Sequence, residues 1–379
     1  MRPADDYHSL GLDQRRWQAA LDLARGWCER GDIPALGLVV GRGGKTTGVH
    51  LFGRQRLDAE SPPIRDDAIF LIASITKPIV AAGVMLLVER GLLSLSDRVR
   101  DFVPEFGGKG RYGITIHHLL THTSGLPDMV PNDRELRSAH APFAAFVESI
   151  CQVNPDFPAG RGVQYQSMGF GMLAEVISHV TGKPYAAFLD EELFSPLAMR
   201  DTALGVPDKW FEGPNPIVGR IAEIRLPKQH AGTEEWSWNS RYWRSFGSPW
   251  GGLLTTPADL ARFAQMLLNQ GRVERTQLLA PATIEASTRN QLAHMPNISE
   301  EDRRCRPWGL GWRLHWPAYS ANFGNLLGPR MFGHWGSTGT VLWIDPDRDA
   351  FAVVLTTQPQ EPLGTYLARL SNAIVAAMV

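Results

Sequence analysis

The chain has 379 residues, 44% of them hydrophobic and 20% charged, with 38 Lys and Arg against 39 Asp and Glu for a net charge of -1. That length suffices for a sizeable core, and the composition excludes wholesale disorder and any general attraction for nucleic acid or an acidic membrane surface. Three widely spaced cysteines, Cys28, Cys151 and Cys305, read as reduced thiols rather than a disulfide framework.

Residues 14 to 30 carry apolar positions at helical spacing, and Ala35 to Val40 and Thr47 to Phe52 read as two strands. Gly43-Gly44-Lys45-Thr46 lies between them. It resembles the end of a phosphate-binding loop, but Val39 stands where that loop needs its first glycine, so a hairpin turn is expected. The apolar stretch Ala68 to Ala73 leads to Ser74-Ile75-Thr76-Lys77, which opens a helical pattern from Thr76 to Arg90 with Gly91 as its stop and Pro78 in its first turn. Ile79 to Val88 is the longest apolar run, at ten residues too short to span a bilayer. The first residues lack the apolar stretch of a secretory signal, so a soluble, cytoplasmic protein is expected.

The middle of the chain, to about residue 244, reads as helical or loop-like, including Phe170 to Val180 and Pro184 to Leu193. After Gly251-Gly252 come a helix, Pro257 to Leu268, and strands at Gly309 to Leu314, Val341 to Ile344 and Phe351 to Thr356. Asp345 to Asp349 is a turn signal, and Leu363 to Met378 closes the chain as an amphipathic helix. Strands at both ends with helices between predict an α+β sandwich, a central antiparallel sheet built from both termini. Residues 1-75 with 245-379 form the sheet unit, residues 76-244 a mainly helical unit, and the active site lies where they meet.

Four stretches carry possible chemistry. Side chains three apart on a helix share a face, so Lys77 can serve as base to a Ser74 nucleophile. Tyr165, in Gln164-Tyr165-Gln166-Ser167 ahead of a helix, sits where the helix dipole and an ammonium would favour phenolate; half-buried packing is the plain alternative. Gly333-His334-Trp335-Gly336-Ser337-Thr338-Gly339 lets backbone approach a ligand closely, a bulge or strand-entry turn being its plain alternative. His118 and His122 are spaced to share a helix face, but without a full ligand set no metal is expected. The absence of a Gly-x-Ser-x-Gly elbow argues against an α/β-hydrolase.

Ser74-x-x-Lys77, Tyr165-x-Ser167 and His334-Trp335-Gly336, in that order, resemble the motif set of the serine β-lactamase and penicillin-binding superfamily. The likeness is strongest to its class C branch, which includes β-lactamase-related esterases (family VIII carboxylesterases), D-aminopeptidases and acyltransferases. Ile114 to Pro127, Trp250 to Leu260 and Trp308-Gly-Leu-Gly-Trp312 add to it. The resemblance implies Ser74 as acylated nucleophile, Lys77 as its proton acceptor and Tyr165 as the group that protonates the leaving group and later activates water. It implies an oxyanion hole from the N–H groups of Ser74 and Ser337, substrate contacts at Ser167, His334, Trp335 and Gly336, and no cofactor.

Two positions depart from the β-lactamase pattern. Ser167 replaces an Asn that holds a substrate amide, and His334, mostly neutral at pH 7 with an ordinary pKa of about 6.5, replaces a permanently charged Lys. Both changes favour small hydrophobic esters as substrates, ahead of a β-lactam, a D-amino-acid amide or peptide, or acyl transfer. A catalytically silent scaffold is the non-enzymatic alternative. The aromatic residues Trp210, Phe211, Trp236, Trp238, Trp243, Phe246 and Trp250 are expected to be divided between core and an apolar acyl or alcohol pocket.

Overall fold

The computed structural model describes residues 2–3, 6–316, 322–359 and 364–379. Helix α1 (Gln14–Glu29) starts at Asp13, whose carboxylate accepts the Arg16 N–H at 2.8 Å and so satisfies one of the donors a helix start leaves over. Strand β1 (Ala35–Arg42) turns through Gly43 and Gly44 into Lys45–Thr46. The two glycines lie at φ 57° and 76°, the positive pair that a two-residue hairpin turn demands. The expected strand from Thr47 to Phe52 is broken: pairing covers Lys45–Thr46 and β2 (His50–Gly53), and Gly48 at φ 75° takes the chain out of the ladder between them.

Strand β3 (Phe70–Leu71) leads into α2 (Thr76–Glu89), in which every residue from Thr76 to Leu87 is buried. A helix covered on all sides must be apolar on all sides, which accounts for the long apolar run at Ile79 to Val88. Among the described residues no helix is long and apolar enough to cross a membrane. Helix α3 (Met168–Thr181) packs on α2, and β4 (Leu253–Thr255) pairs with β3. The loop-and-helix reading of the middle misses one strand, Ala203–Leu204, on the other side of β4. Helix α4 (Pro257–Leu268) has the predicted limits, with Thr256 capping the Asp259 N–H and Pro257 in the first turn, where no N–H is needed.

Strands β5 (Arg313–Leu314), β6 (Phe332–Gly336), β7 (Thr340–Asp345) and β8 (Ala350–Thr356) follow, and α5 (Thr365–Ala377) closes the chain. The closing helix was expected from Leu363, which lies outside the described residues. In the main sheet β1 pairs with β8, β8 with β7, β7 with β6 and β6 with β5, all antiparallel. The two ends of the chain meet at β1 and β8, where Val39 faces Val353. The fold is α+β, with the central antiparallel sheet built from both chain ends.

Alternation along these strands sorts side chains between two cores. Leu36, Leu38, Val40, Val341, Trp343 and Val354 meet Trp17, Leu21, Trp27, Leu370 and Ile374 of α1 and α5. Val39, Leu342, Ile344, Phe351, Val353 and Leu355 face Leu260, Phe263 and the α2 side. With both faces covered, the strands read as continuous apolar runs. Each such buried side chain contributes about 1.5–3 kcal/mol. Gly41 stands opposite Phe351, whose ring occupies the space a Cβ would take, 2.1 Å from its ideal position.

The expected strand from Gly309 to Leu314 shrinks to β5. Gly311 turns the chain at φ 77°, donates its N–H to the Leu120 carbonyl at 2.8 Å, and lies so close to α2 that a Cβ would come within 2.4 Å of the Ala81 methyl. The Gly333–Gly339 segment, expected to lead into a strand, is itself strand β6 followed by a tight turn into β7.

Candidate active site

Ser74 sits in the turn between β3 and α2. The preceding Ala73 is held at φ 45°, a left-handed conformation that costs a non-glycine residue about 1–3 kcal/mol. Surrounding bonds keep it there: the Ile72 N–H donates to Leu253 O at 3.0 Å, the Thr76 hydroxyl to Ala73 O at 2.7 Å, and the Leu253 N–H to Thr76 Oγ1 at 3.1 Å. The fully buried Lys77 amine donates to Ser74 Oγ at 3.2 Å and to the Trp250 carbonyl at 2.8 Å. Its nitrogen is 4.7 Å from the centre of the Tyr165 ring.

Tyr165 is fixed through its neighbours. The Gln164 N–H donates to His122 O at 2.9 Å and the Gln166 N–H to His122 Nδ1 at 3.1 Å. The expectation that His118 and His122 share a helix face fails, because their helix ends at Leu120 and His122 lies beyond it at φ 58°. His118 instead completes the cap at Thr115, and the His122 ring packs 4.8 Å from Tyr165 and 4.2 Å from Trp308. Among the described residues no group of three or more His, Cys, Asp or Glu could hold a metal ion.

The third stretch arrives on β6. Thr338 and Thr340, around the turn from Gly336, donate their hydroxyls to Leu71 O at 2.7 Å and Ile72 O at 2.9 Å, sewing the β6–β7 turn to the backbone just before Ser74. Gly336 lies so close that a Cβ would fall 2.3 Å from the Ile72 oxygen. Ser337 is exposed at the tip of this turn. His334 is fully buried, its ring 6.1 Å from Tyr165, with Nδ1 2.8 Å from the Trp335 carbonyl. Since a carbonyl only accepts, Nδ1 carries the proton and Nε2 is bare. Burial, then the charges of Arg313 and Lys77, hold the His334 pKa well below its ordinary value; burial, then Lys77 and Arg313, do the same to His122.

Ser167 is 5% exposed and donates its hydroxyl to Asp128 Oδ1 at 2.6 Å, so its one donor is committed within the protein. Trp335 faces Arg313, a residue that sequence reasoning missed. The Arg313 guanidinium lies 3.8 Å from the Trp335 ring centre, 4.5 Å from Trp308, 4.8 Å from Trp316 and 4.9 Å from Tyr165. Burial lowers its pKa to about 10, against the opposing pull of Tyr165 beside it. The run Trp308, Trp312, Trp316 around an arginine was the signal available in the sequence, an aromatic box for a cation.

Of the aromatic residues expected to be divided between core and pocket, most are engaged in packing. Trp210 and Trp243 form a separate core with Ile69, Leu71 and Leu254, and Phe211, Trp238 and Phe246 pack against it. The Trp236 ring lies 5.9 Å from the Arg134 guanidinium, and the Trp250 ring packs near Phe146 and Phe246 while its carbonyl holds Lys77. The small sheet of β3, β4 and Ala203–Leu204 needs one face covered, and these rings cover it.

Ser74, Lys77, Tyr165, His334 and the Ser337 turn thus meet in one place, with Arg313 beside Tyr165. A nucleophile, a neighbouring amine and a cation-flanked phenol are the parts that acyl transfer through a covalent intermediate requires. A 298-residue stretch is 27% identical to a putative D-alanyl-D-alanine carboxypeptidase of Escherichia coli (strain K12), covering 73% of this chain and 66% of that protein. A 205-residue stretch is 35% identical to esterase EstB of Burkholderia gladioli, covering 44% of this chain and 48% of the esterase. The fold matches a penicillin-binding protein homologue from Caulobacter crescentus with a TM-score of 0.79 at 22% identity, over 97% of this chain and 99% of that one. The Beta-lactamase family profile matches residues 16–376, nearly the whole chain, and the protein belongs to that family of serine hydrolases.

Proposed function

We propose that the protein hydrolyses carboxylic esters of small hydrophobic acids through an acyl-enzyme on Ser74. The 3.2 Å contact between Lys77 Nζ and Ser74 Oγ carries the reading. With the amine uncharged, the same contact runs in reverse and Lys77 takes the serine proton as the hydroxyl attacks. The N–H groups of Ser74 and Ser337 receive the oxyanion, a contribution of about 100- to 1,000-fold in rate per donor. Tyr165 hands a proton to the leaving alcohol and later takes one from the water that releases the acid. Lys77 and Arg313, 4.7 and 4.9 Å from the ring centre, favour the phenolate in that second step.

Esters are favoured over amides for two reasons. An alkoxide departs with less proton assistance than an amine, and the site lacks the fittings for a peptide: Ser167 is engaged with Asp128, and His334 is neutral where a fixed charge would grip a carboxylate. The Arg313 cation does not replace that charge, being buried against Tyr165 and three indoles. The likeness to esterase EstB supports the same choice. Measuring kcat/KM for p-nitrophenyl butyrate, a D-alanyl anilide and nitrocefin on one preparation tests it. Faster turnover of the anilide or nitrocefin than of the ester would overturn it.

A further inference from the structure

Away from the active site, a groove of about 870 Å³ lies between the end of α1, strand β2 and the loop after it. Its lining brings together five arginines, Arg25, Arg30, Arg54, Arg56 and Arg225, and a single acid, Glu29. In a chain with net charge -1, that concentration is far from average. None of the catalytic residues lines it.

The way these arginines are held matters more than their number. Arg25 pairs with Asp22 and Arg30 with Asp32. Arg225 is half-buried and donates to Gly31 O at 3.0 Å, Asp32 O at 3.2 Å and Gln358 Oε1 at 2.6 Å. Arg54 donates to Ser61 O at 2.6 Å. These acceptors are neutral carbonyl groups, so they orient the two guanidinium groups without cancelling their charge. Arg56 has no side-chain hydrogen bond or ion pair among the described residues. Arg54, Arg56 and Arg225 therefore bring three guanidinium groups to the lining of one concave space, against the single carboxylate of Glu29.

The rest of the lining is apolar: Leu51, Phe52, Leu57, Pro63 and Ile64, with Leu57 42% exposed. Burial pushes the Cys28 thiol up to about 12, so it stays uncharged and does not repel an anion. Guanidinium forks match the paired oxygens of a phosphoryl group, and the apolar wall suits a hydrocarbon attached to it.

We propose that this groove is a second binding site, for a small phosphomonoester with an apolar body. The probe is phenyl phosphate, titrated by calorimetry at constant ionic strength, with inorganic phosphate, phenol and sodium chloride as comparisons. Phenyl phosphate binds most tightly, inorganic phosphate more weakly, and phenol and chloride not measurably. Arg56→Gln and Arg225→Gln each weaken phenyl phosphate by about 10- to 100-fold, as expected for one hydrogen bond to a charged group, and leave p-nitrophenyl butyrate turnover unchanged. Arg56 has no side-chain hydrogen bond or ion pair among the described residues, so its variant reports on binding even if loss of Arg225 harms folding. A response to phenyl phosphate no greater than to chloride, or unchanged affinity in Arg56→Gln, would overturn the proposal. Neither result bears on the esterase reading, which ester turnover tests separately.

Discussion

The Arg313 guanidinium carbon lies 4.9 Å from the centre of the Tyr165 ring, on a strand 148 positions further along the chain. With Lys77 Nζ 4.7 Å from the same centre, the phenol is close to two cations that come from opposite halves of the sequence.

Replacing Arg313 with Met keeps much of the volume and removes the charge. A desolvated contact between a cation and an aromatic ring is worth about 2 kcal/mol, or about 30-fold. Accordingly kcat for p-nitrophenyl butyrate falls by that factor while KM changes little, and the alkaline rise of the pH–rate profile moves to higher pH. Arg313→Lys restores the rate only partly, because an ammonium cannot stack flat among indoles as a guanidinium does.

Ser74→Ala removes the nucleophile. Ester turnover drops by at least about a thousandfold, and labelling by a fluorophosphonate, followed as a mass increase on the intact protein, disappears. Circular dichroism stays at wild type, since Ser74 contributes no packing that a methyl group cannot supply. Lys77→Met loses activity to a similar degree while keeping an apolar side chain in a buried position.

Acid pH destabilises the fold through its buried histidines. His122 and His334 have folded-state pKa values well below 6.5, and burial lowers His118 to about 4. The unfolded chain therefore binds protons that the folded protein refuses, and stability rises with pH wherever that difference exists. The penalty is absent above about pH 6.5 and grows as pH falls, closing near pH 4 for His118 and lower for the other two. Melting temperature should be level from pH 7 to 8.5 and fall steadily below 6.5, with a shallower slope in His334→Gln. A level curve down to pH 5 would contradict this.

Thr340→Val removes the shorter of two hydrogen bonds to the buried Ile72 carbonyl, leaving it the Ile75 N–H at 3.3 Å. The expected loss is about 0.5–1.5 kcal/mol in a urea titration. Because the same bond ties the Ser337 turn to the Ser74 turn, kcat falls as well, and a Thr340→Ser variant recovers both.

Local chemistry was legible where a pattern is local. The Ser74 to Lys77 spacing, the limits of α4, the Gly43-Gly44 turn and the α+β class follow from helical period, capping residues and strand runs, all set within a few positions of the chain. The breaks at Gly48 and Gly311 were not legible, because a glycine shows only that the backbone is free to turn; at Gly311 the close neighbour that admits no Cβ, Ala81, comes from a distant part of the chain.

The sequence by itself determined which groups could act as nucleophile, base and acid, since those properties belong to side chains and short spacings. Tertiary structure alone decided that Arg313 stands beside Tyr165, that Ser167 donates to Asp128, and that Trp210, Phe211, Trp238, Trp243 and Phe246 pack against a small sheet. Each of these depends on which distant surfaces are brought together, and burial and charge act through space without regard to position in the chain.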